Sequence, residues 1–207
     1  MGAHHLDRLM SGSALPLEFV SSAQRWTQLP EFTTEVAVVG RSNVGKSALI
    51  NALANKRQLA RVSNTPGRTQ LINLFSLGPA SSGIGLVDLP GYGYAKVPGA
   101  LRRGWATMIE GYLLERESLV NVFVLVDGAI GPTPLDAQML EWLRANEVPH
   151  SVVATKWDKV KSSQRQTRRR ELAAGCDLDP GDILVTSTTK GVGIDELRSL
   201  VRLHLGA

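Results

Sequence analysis

The stretch Gly40, Arg41, Ser42, Asn43, Val44, Gly45, Lys46 and Ser47 constrains this chain more than any other. It fits the pattern G-x-x-x-x-G-K-[ST], follows a short β-branched run and opens an amphipathic stretch. A strand, a tight loop and a helix are therefore expected in that order. The glycines let successive backbone N–H groups turn inward around phosphate oxygens. The helix N-terminus adds the positive end of its dipole. Lys46 places a point charge on the β- and γ-phosphates, and Ser47 offers a hydroxyl to Mg²⁺. A glycine-rich turn with an exposed lysine is the bland alternative, and the strand–loop–helix setting argues against it.

The rest of the chain supplies the frame. Short β-branched runs alternate with longer amphipathic stretches, which predicts an α/β fold with a mainly parallel sheet and helices on both faces. Six strands are expected, at 36–39, 71–77, 84–88, 121–127, 151–155 and 182–186. Helices are expected at 45–54, 99–115, 134–146, 162–174 and 194–205. The last of these sets Ile194, Leu197, Val201 and Leu205 on one stripe. The link 78–83 is too short for a parallel crossover, so the second strand should run antiparallel. The 207 residues suit one domain, at 31–207, behind a partly ordered extension at 1–30. Within that extension Phe19, Val20, Trp26 and Leu29 are expected to lay an apolar face on the body.

A composition of 43% hydrophobic and 20% charged residues excludes wholesale disorder. The apolar run 122–126 is far too short to span a bilayer. Residues 1–10 lack the apolar stretch of a signal peptide. The single cysteine, Cys176, forbids an intrachain disulfide and fits a reducing compartment. A cytoplasmic monomer away from membranes is the expectation. The net charge of +4 permits an anionic partner without demanding one.

Four further segments carry chemistry. Asp88, Leu89, Pro90 and Gly91 end the most apolar strand after the loop, where Asp88 can hold Mg²⁺ through water and the Gly91 N–H can meet a γ-phosphate. Thr155, Lys156, Trp157 and Asp158 end another strand. The Asp158 carboxylate can accept both N1–H and the exocyclic N2–H₂ of guanine, donors that adenine lacks there. Lys156 can run its stem along the base and touch the phosphate loop. Thr186, Ser187 and Thr188 form a small polar loop that can offer a backbone N–H to guanine O6, or act as an ordinary helix-entry turn. The segment Gly67, Arg68, Thr69, Gln70 and Leu71 can swing Thr69 onto Mg²⁺ when a γ-phosphate is present and release it after hydrolysis.

In this order the five segments resemble the motifs of translation-factor-class GTPases. GRSNVGKSALINAL, PGRTQLIN, DLPGYGYAKV, TKWDK and GVGIDEL together resemble the EngB/YsxC (YihA) group of bacterial ribosome-biogenesis GTPases, over roughly residues 17–205. The resemblance implies a Ras-like fold, Mg²⁺-dependent GTP and GDP binding, and slow hydrolysis. It also implies a role on the large (50S) ribosomal subunit during assembly and a requirement in cell division and septation. Carried over by motif, Ser47 and Thr69 ligate Mg²⁺, and Asn43, Gly45, Lys46, Ser47 and Gly91 meet the phosphates. Lys46, Thr69 and Gly91 form the catalytic set. Thr155, Lys156 and Asp158 hold the base, with Ser187 and Thr188 on its O6 side. The reading Thr186-Ser-Thr-Thr departs from the usual last motif and blurs the O6 contact by one residue.

Tyr92 stands where Ras-like enzymes carry the glutamine that orients the attacking water, so hydrolysis should be slow unless another group supplies charge. Asn43 occupies a position where related GTPases hold K⁺ between the phosphates. K⁺ in place of an arginine finger, completion of the site by the ribosome, and a merely structural Asn43 all remain open at this point. Tyr92 and Tyr94 can stack on a base or tuck into the body. The basic run with Arg165, Arg168, Arg169 and Arg170 can contact rRNA phosphates, with Arg102 and Arg103 joining, or form a solvated helix face. Trp105, Phe123 and Trp142 are expected in the core, and Cys176 is expected to be inert. Another P-loop NTPase, or an RNA-binding module indifferent to nucleotide, is the alternative function.

Overall fold

The computed structural model describes residues 12–60, 71–92 and 99–207, with the backbone alone over 99–106. The strands are β1 (Leu17–Ala23), β2 (Thr34–Gly40), β3 (Ile72–Leu77), β4 (Ile84–Asp88), β5 (Leu119–Asp127), β6 (His150–Thr155) and β7 (Leu184–Val185). The helices are α1 (Lys46–Leu53), α2 (Gly99–Glu115), α3 (Pro134–Ala145), α4 (Arg165–Cys176) and α5 (Ile194–Leu205). All seven strands form one sheet in the order β1-β3-β4-β2-β5-β6-β7. The pairs from β4 to β7 are parallel, while β1 on β3 and β3 on β4 are antiparallel.

Six strands were expected and seven are present among the described residues. The addition is β1, paired along the outer edge of β3 from Leu17 opposite Leu77 to Ala23 opposite Ile72. A bulge between Phe19 and Ser21 interrupts the alternation, so period 2 is lost in the sequence. The bulge, with exposed Glu18 and Ser22, also makes a poor template for a further strand. Expected bounds coincide with β4, α2 and α5 and differ by one to three residues at the other elements. The largest changes are β7, which shrinks to two residues, and α4, which is preceded by a separate 3₁₀ turn at Ser162–Gln164.

Alternation along the central strands divides the core in two. Val36 and Val38 of β2 face Leu49, Ile50 and Leu53 of α1 and the α5 stripe Ile194, Leu197, Val201 and Leu205. Ala37 and Val39 face the other side, with Ile109, Tyr112 and Leu113 of α2, Leu140 and Leu143 of α3, and Leu172 of α4. A strand buried on both faces reads as a continuous apolar run, which is why β2 and β5 were plain in the sequence. Phe123 is buried and meets the His204 ring edge-on at 5.8 Å. Trp142 packs partly buried against the α2–α4 side of the core. The side chains of Arg102, Arg103 and Trp105 lie outside the described residues. Cys176 is buried, and burial pushes its thiol up to about 11, as befits an unreactive core residue.

At the N-terminal end of β2 a charge is buried. Glu35 accepts from Arg116 Nη2 at 2.5 Å, Arg116 Nε at 3.1 Å and Tyr112 Oη at 2.9 Å. Arg116 also donates to the Pro30 carbonyl at 2.6 Å, fastening the chain entering β2 to the end of α2. The desolvated Tyr112 phenol, beside the Glu35 charge, is held well above its ordinary range and stays a donor.

Candidate nucleotide-binding site

Because β4, β2, β5, β6 and β7 run parallel, their C-terminal ends share one pole of the sheet. Gly40, Asp88, Asp127, Thr155 and Val185 are the residues that end them. Open α/β sheets place their ligands at this pole.

The loop after β2 turns through Asn43 at φ 64° and Gly45 at φ 108°, and Gly45 caps the start of α1. A side chain at Gly45 would be strained by that angle whatever space it had. The Leu49 N–H donates to the Gly45 carbonyl at 2.9 Å, so the helix begins at the phosphate end of the loop. The Lys46 ammonium forms a salt bridge with Oδ1 of Asp88, and Asn73 Nδ2 donates to Oδ2 of Asp88 at 3.2 Å. Ser47 is half-buried beside Lys46. Its hydroxyl and the Asp88 carboxylate are hard oxygen donors of the kind Mg²⁺ takes.

Beyond Asp88 the chain continues to pair with β2 and its loop. The Leu89 N–H meets the Val38 carbonyl at 3.1 Å, Tyr92 N–H the Gly40 carbonyl at 3.3 Å, and Ser42 N–H the Tyr92 carbonyl at 3.1 Å. This pairing brings Gly91 against the loop, where a Cβ would lie 3.2 Å from both the Gly40 oxygen and the Ser42 nitrogen. The Tyr92 ring tucks into the body, the second of the two alternatives left open for it. Its hydroxyl donates to Asp136 Oδ1 at 2.8 Å, while Asp136 Oδ2 accepts from Thr133 N–H and Oγ1, both at 2.7 Å. Burial, then the Asp136 charge, raises the Tyr92 phenol far above its usual range, so it remains protonated. Tyr94 and the segment Gly67, Arg68, Thr69 and Gln70 lie outside the described residues. Leu71 is half-buried just before β3.

The other half of the site is bolted to the loop. The Thr155 hydroxyl lies 2.6 Å from the Val44 carbonyl and 3.2 Å from that of Val126. Lys156 adopts the left-handed conformation, φ 56° and ψ 31°, and its ammonium donates to the Asn43 carbonyl and to Asp127 Oδ2, each at 2.7 Å. Trp157 is buried, with its N–H on the Thr186 carbonyl at 3.0 Å. Asp158 stays half-exposed and receives the Ser187 hydroxyl on Oδ1 at 2.6 Å. That hydrogen bond holds the Asp158 carboxyl below the usual range, and so ionised.

Ser187 itself is fully buried, and its N–H goes to the Val192 carbonyl at 2.9 Å. Thr186 is also buried, with its hydroxyl on the Ala154 carbonyl at 3.2 Å, while Thr188 is exposed. The sequence marks Asp127 only as a strand end. It is buried and accepts Ala129 N–H at 3.0 Å and Ile130 N–H at 3.2 Å besides Lys156. Burial alone would raise the Asp127 carboxyl; the Lys156 and backbone hydrogen bonds outweigh it and hold it below the usual range. The signal was available, because Asp127 ends an apolar strand just as Asp88 does.

The basic run divides. Arg168 donates to the Ala129 carbonyl at 2.9 Å and pairs with Glu171, and Arg169 donates to the carbonyls of Pro180 and Ile183. Arg165 and Arg170 remain exposed.

A phosphate-type loop after β2, an acidic residue ending β4 and a T-K-x-D segment ending β6, all at one pole, define a P-loop GTPase. The sequence model of the family described as 50S ribosome-binding GTPase matches residues 35–156. The probable GTP-binding protein EngB of Pelotomaculum thermopropionicum is 52% identical over 191 residues, covering 91% of this chain and 95% of that protein. Its counterpart in Desulforamulus reducens is 54% identical over 182 residues, covering 87% and 88%. The chain belongs to the EngB family of GTP-binding proteins. In fold it is similar to the crystal structure of a probable GTP-binding protein engB, with a TM-score of 0.68 and 23% identity over 84% of this chain and 99% of that one. It is also similar to Aquifex aeolicus Era bound to GDP and AlF₄⁻, with a TM-score of 0.67 and 25% identity over 84% of this chain and 57% of that one. Among the described residues no helix is long and apolar enough to cross a membrane.

Proposed function

We propose that this chain is a GTP-driven switch that acts on the large ribosomal subunit during its assembly, with slow hydrolysis of its own. The observation that carries the nucleotide half is the convergence of Lys46, Asp88 and Asp158 on one pole, with Lys156 and Thr155 tying the base reader to the phosphate loop. Lys46 exchanges its partner Asp88 for the β- and γ-phosphates. Backbone N–H groups of residues 43–47 and of Gly91 cradle the same oxygens. Ser47, Asp88 through water and, by resemblance, Thr69 would hold Mg²⁺, which would supply positive charge to the phosphates. Asp158 reads the guanine edge, and with the Ser187 N–H already engaged the O6 contact falls to Thr188.

Slow turnover follows from Tyr92. Its hydroxyl is committed to Asp136, and a protonated phenol is a poor substitute for the amide that orients water. A K⁺ ion held through Asn43 would supply the missing charge, since the Asn43 side chain is exposed at the rim of the loop. GTP turnover several-fold faster in K⁺ than in Na⁺ at matched ionic strength is expected; equal turnover removes the K⁺ reading.

The ribosomal half is supported by the family description, 50S ribosome-binding GTPase. The exposed cations Arg165 and Arg170 suit sequence-blind contact with rRNA phosphates. The same reading includes a requirement in cell division and septation, and a cytoplasmic monomer. Cosedimentation with 50S subunits tests it. Binding is expected with a GTP analogue, to weaken with GDP or no nucleotide, and to fall steeply as salt rises. Equal pelleting in all three nucleotide conditions would overturn the switch.

A further inference from the structure

Asp127 belongs to none of the five motifs, yet it sits under two of them. Its Oδ1 organises the turn leaving β5 through the N–H groups of Ala129 and Ile130. Its Oδ2 faces the Lys156 ammonium, which reaches on to the Asn43 carbonyl of the phosphate loop. Lys156 is the residue in the left-handed turn that swings the chain from β6 toward Asp158. An L side chain resists that conformation unless its surroundings hold it there. Lysine is a flexible stem with a strongly hydrated head, so without an anion beneath it the ammonium would return to water.

We propose that Asp127 is a positioning residue for nucleotide binding: it anchors Lys156 so that the base-reading segment and the phosphate loop form one preorganised unit. The inference rests on reading residues 155–158 as the guanine pocket. On this reading Asp127 acts on the nucleotide through Lys156, its Oδ1 serving the turn after β5. Its removal should therefore cost binding of GDP and GTP alike and leave the chemical step unchanged, raising KM with kcat constant.

The test is a double-mutant cycle with Asp127→Asn and Lys156→Met, read by calorimetric GDP affinity with Mg²⁺ and by steady-state GTP turnover. Asparagine keeps Oδ1 for Ala129 and Ile130 while removing the charge that faces Lys156. Should D127N not purify, Asp127→Ser serves the same cycle. In the wild-type background the Kd for GDP should rise about tenfold, the scale of one charge-assisted hydrogen bond. In the K156M background the same change should alter Kd by less than about twofold, because the partner is already gone. A purely structural aspartate would lower affinity by the same factor in both backgrounds. That result, or a D127N protein that binds GDP as the wild type does, overturns the proposal. If K156M binds GDP as the wild type does, the reading of the pocket falls with it.

Discussion

Asp158→Asn should lose about a thousandfold in GTP and GDP affinity and gain affinity for xanthine nucleotides. The carboxylate is held ionised by the Ser187 hydroxyl and points from a half-exposed position at the rim of the pocket. An ionised acceptor facing two purine donors makes two charge-assisted hydrogen bonds, each contributing about 1.5–3 kcal/mol. The amide keeps one acceptor and turns a donor toward the second purine N–H, so one bond is lost and a repulsion takes its place. Xanthine presents a carbonyl at that position and restores the match. Unfolding should change little, since the amide oxygen still accepts from Ser187 and surface changes of this kind stay within about 0.5 kcal/mol. Calorimetry with GDP and XDP reads the exchange. Unchanged GDP affinity would show that another group reads the base.

The largest effect on stability should come from the opposite pole. Arg116→Ala removes both guanidinium contacts to Glu35 and the tie to the Pro30 carbonyl, leaving a fully buried carboxylate with only the Tyr112 hydroxyl as a side-chain partner among the described residues. Breaking one side of a buried ion pair costs about 3–5 kcal/mol, because the remaining charge stays desolvated. For a chain of this size that corresponds to a fall in Tm of about 10 °C. Replacing both members, Glu35→Leu with Arg116→Leu, should recover much of the loss, since the pair as a whole adds little over apolar packing. GDP affinity of the folded protein should be unchanged: β2 separates Glu35 from Gly40, and the site lies beyond Gly40. Thermal unfolding with and without GDP distinguishes the two effects. A Tm within about 2 °C of wild type would show that Arg116 is dispensable, contrary to its burial.

What the sequence disclosed follows the range of the interactions involved. The phosphate loop, the D-L-P-G turn and the T-K-W-D segment each depend on backbone geometry set within a few residues, so pattern and spacing were enough. Helix α5 was legible to both ends, because its apolar stripe is continuous and Gly193 and Gly206 bracket it in the left-handed conformation. Contacts between distant segments were not legible. The hydrogen bond from Lys156 to Asp127 spans 29 residues, that from Tyr92 to Asp136 spans 44, and the Arg116–Glu35 pair spans 81. Strand β1 escaped for another reason, since its bulge and Ser21-Ser22 erase the alternation that marks a half-buried strand. In the last motif the sequence leaves Ser187 and Thr188 both on the O6 side; the fold commits the Ser187 hydroxyl to Asp158 and its N–H to Val192. Residue type alone gives no account of that arrangement.

On the proposed reading the Asp158 carboxylate, just beyond β6 in a segment tied to the phosphate loop by Thr155 and Lys156, makes the site guanine-specific. Titration of the wild-type protein with GDP and with ADP, in Mg²⁺ and at one ionic strength, tests it most directly. The structure predicts saturable GDP binding, with ADP weaker by about a thousandfold or more. ADP binding as tight as GDP would contradict it.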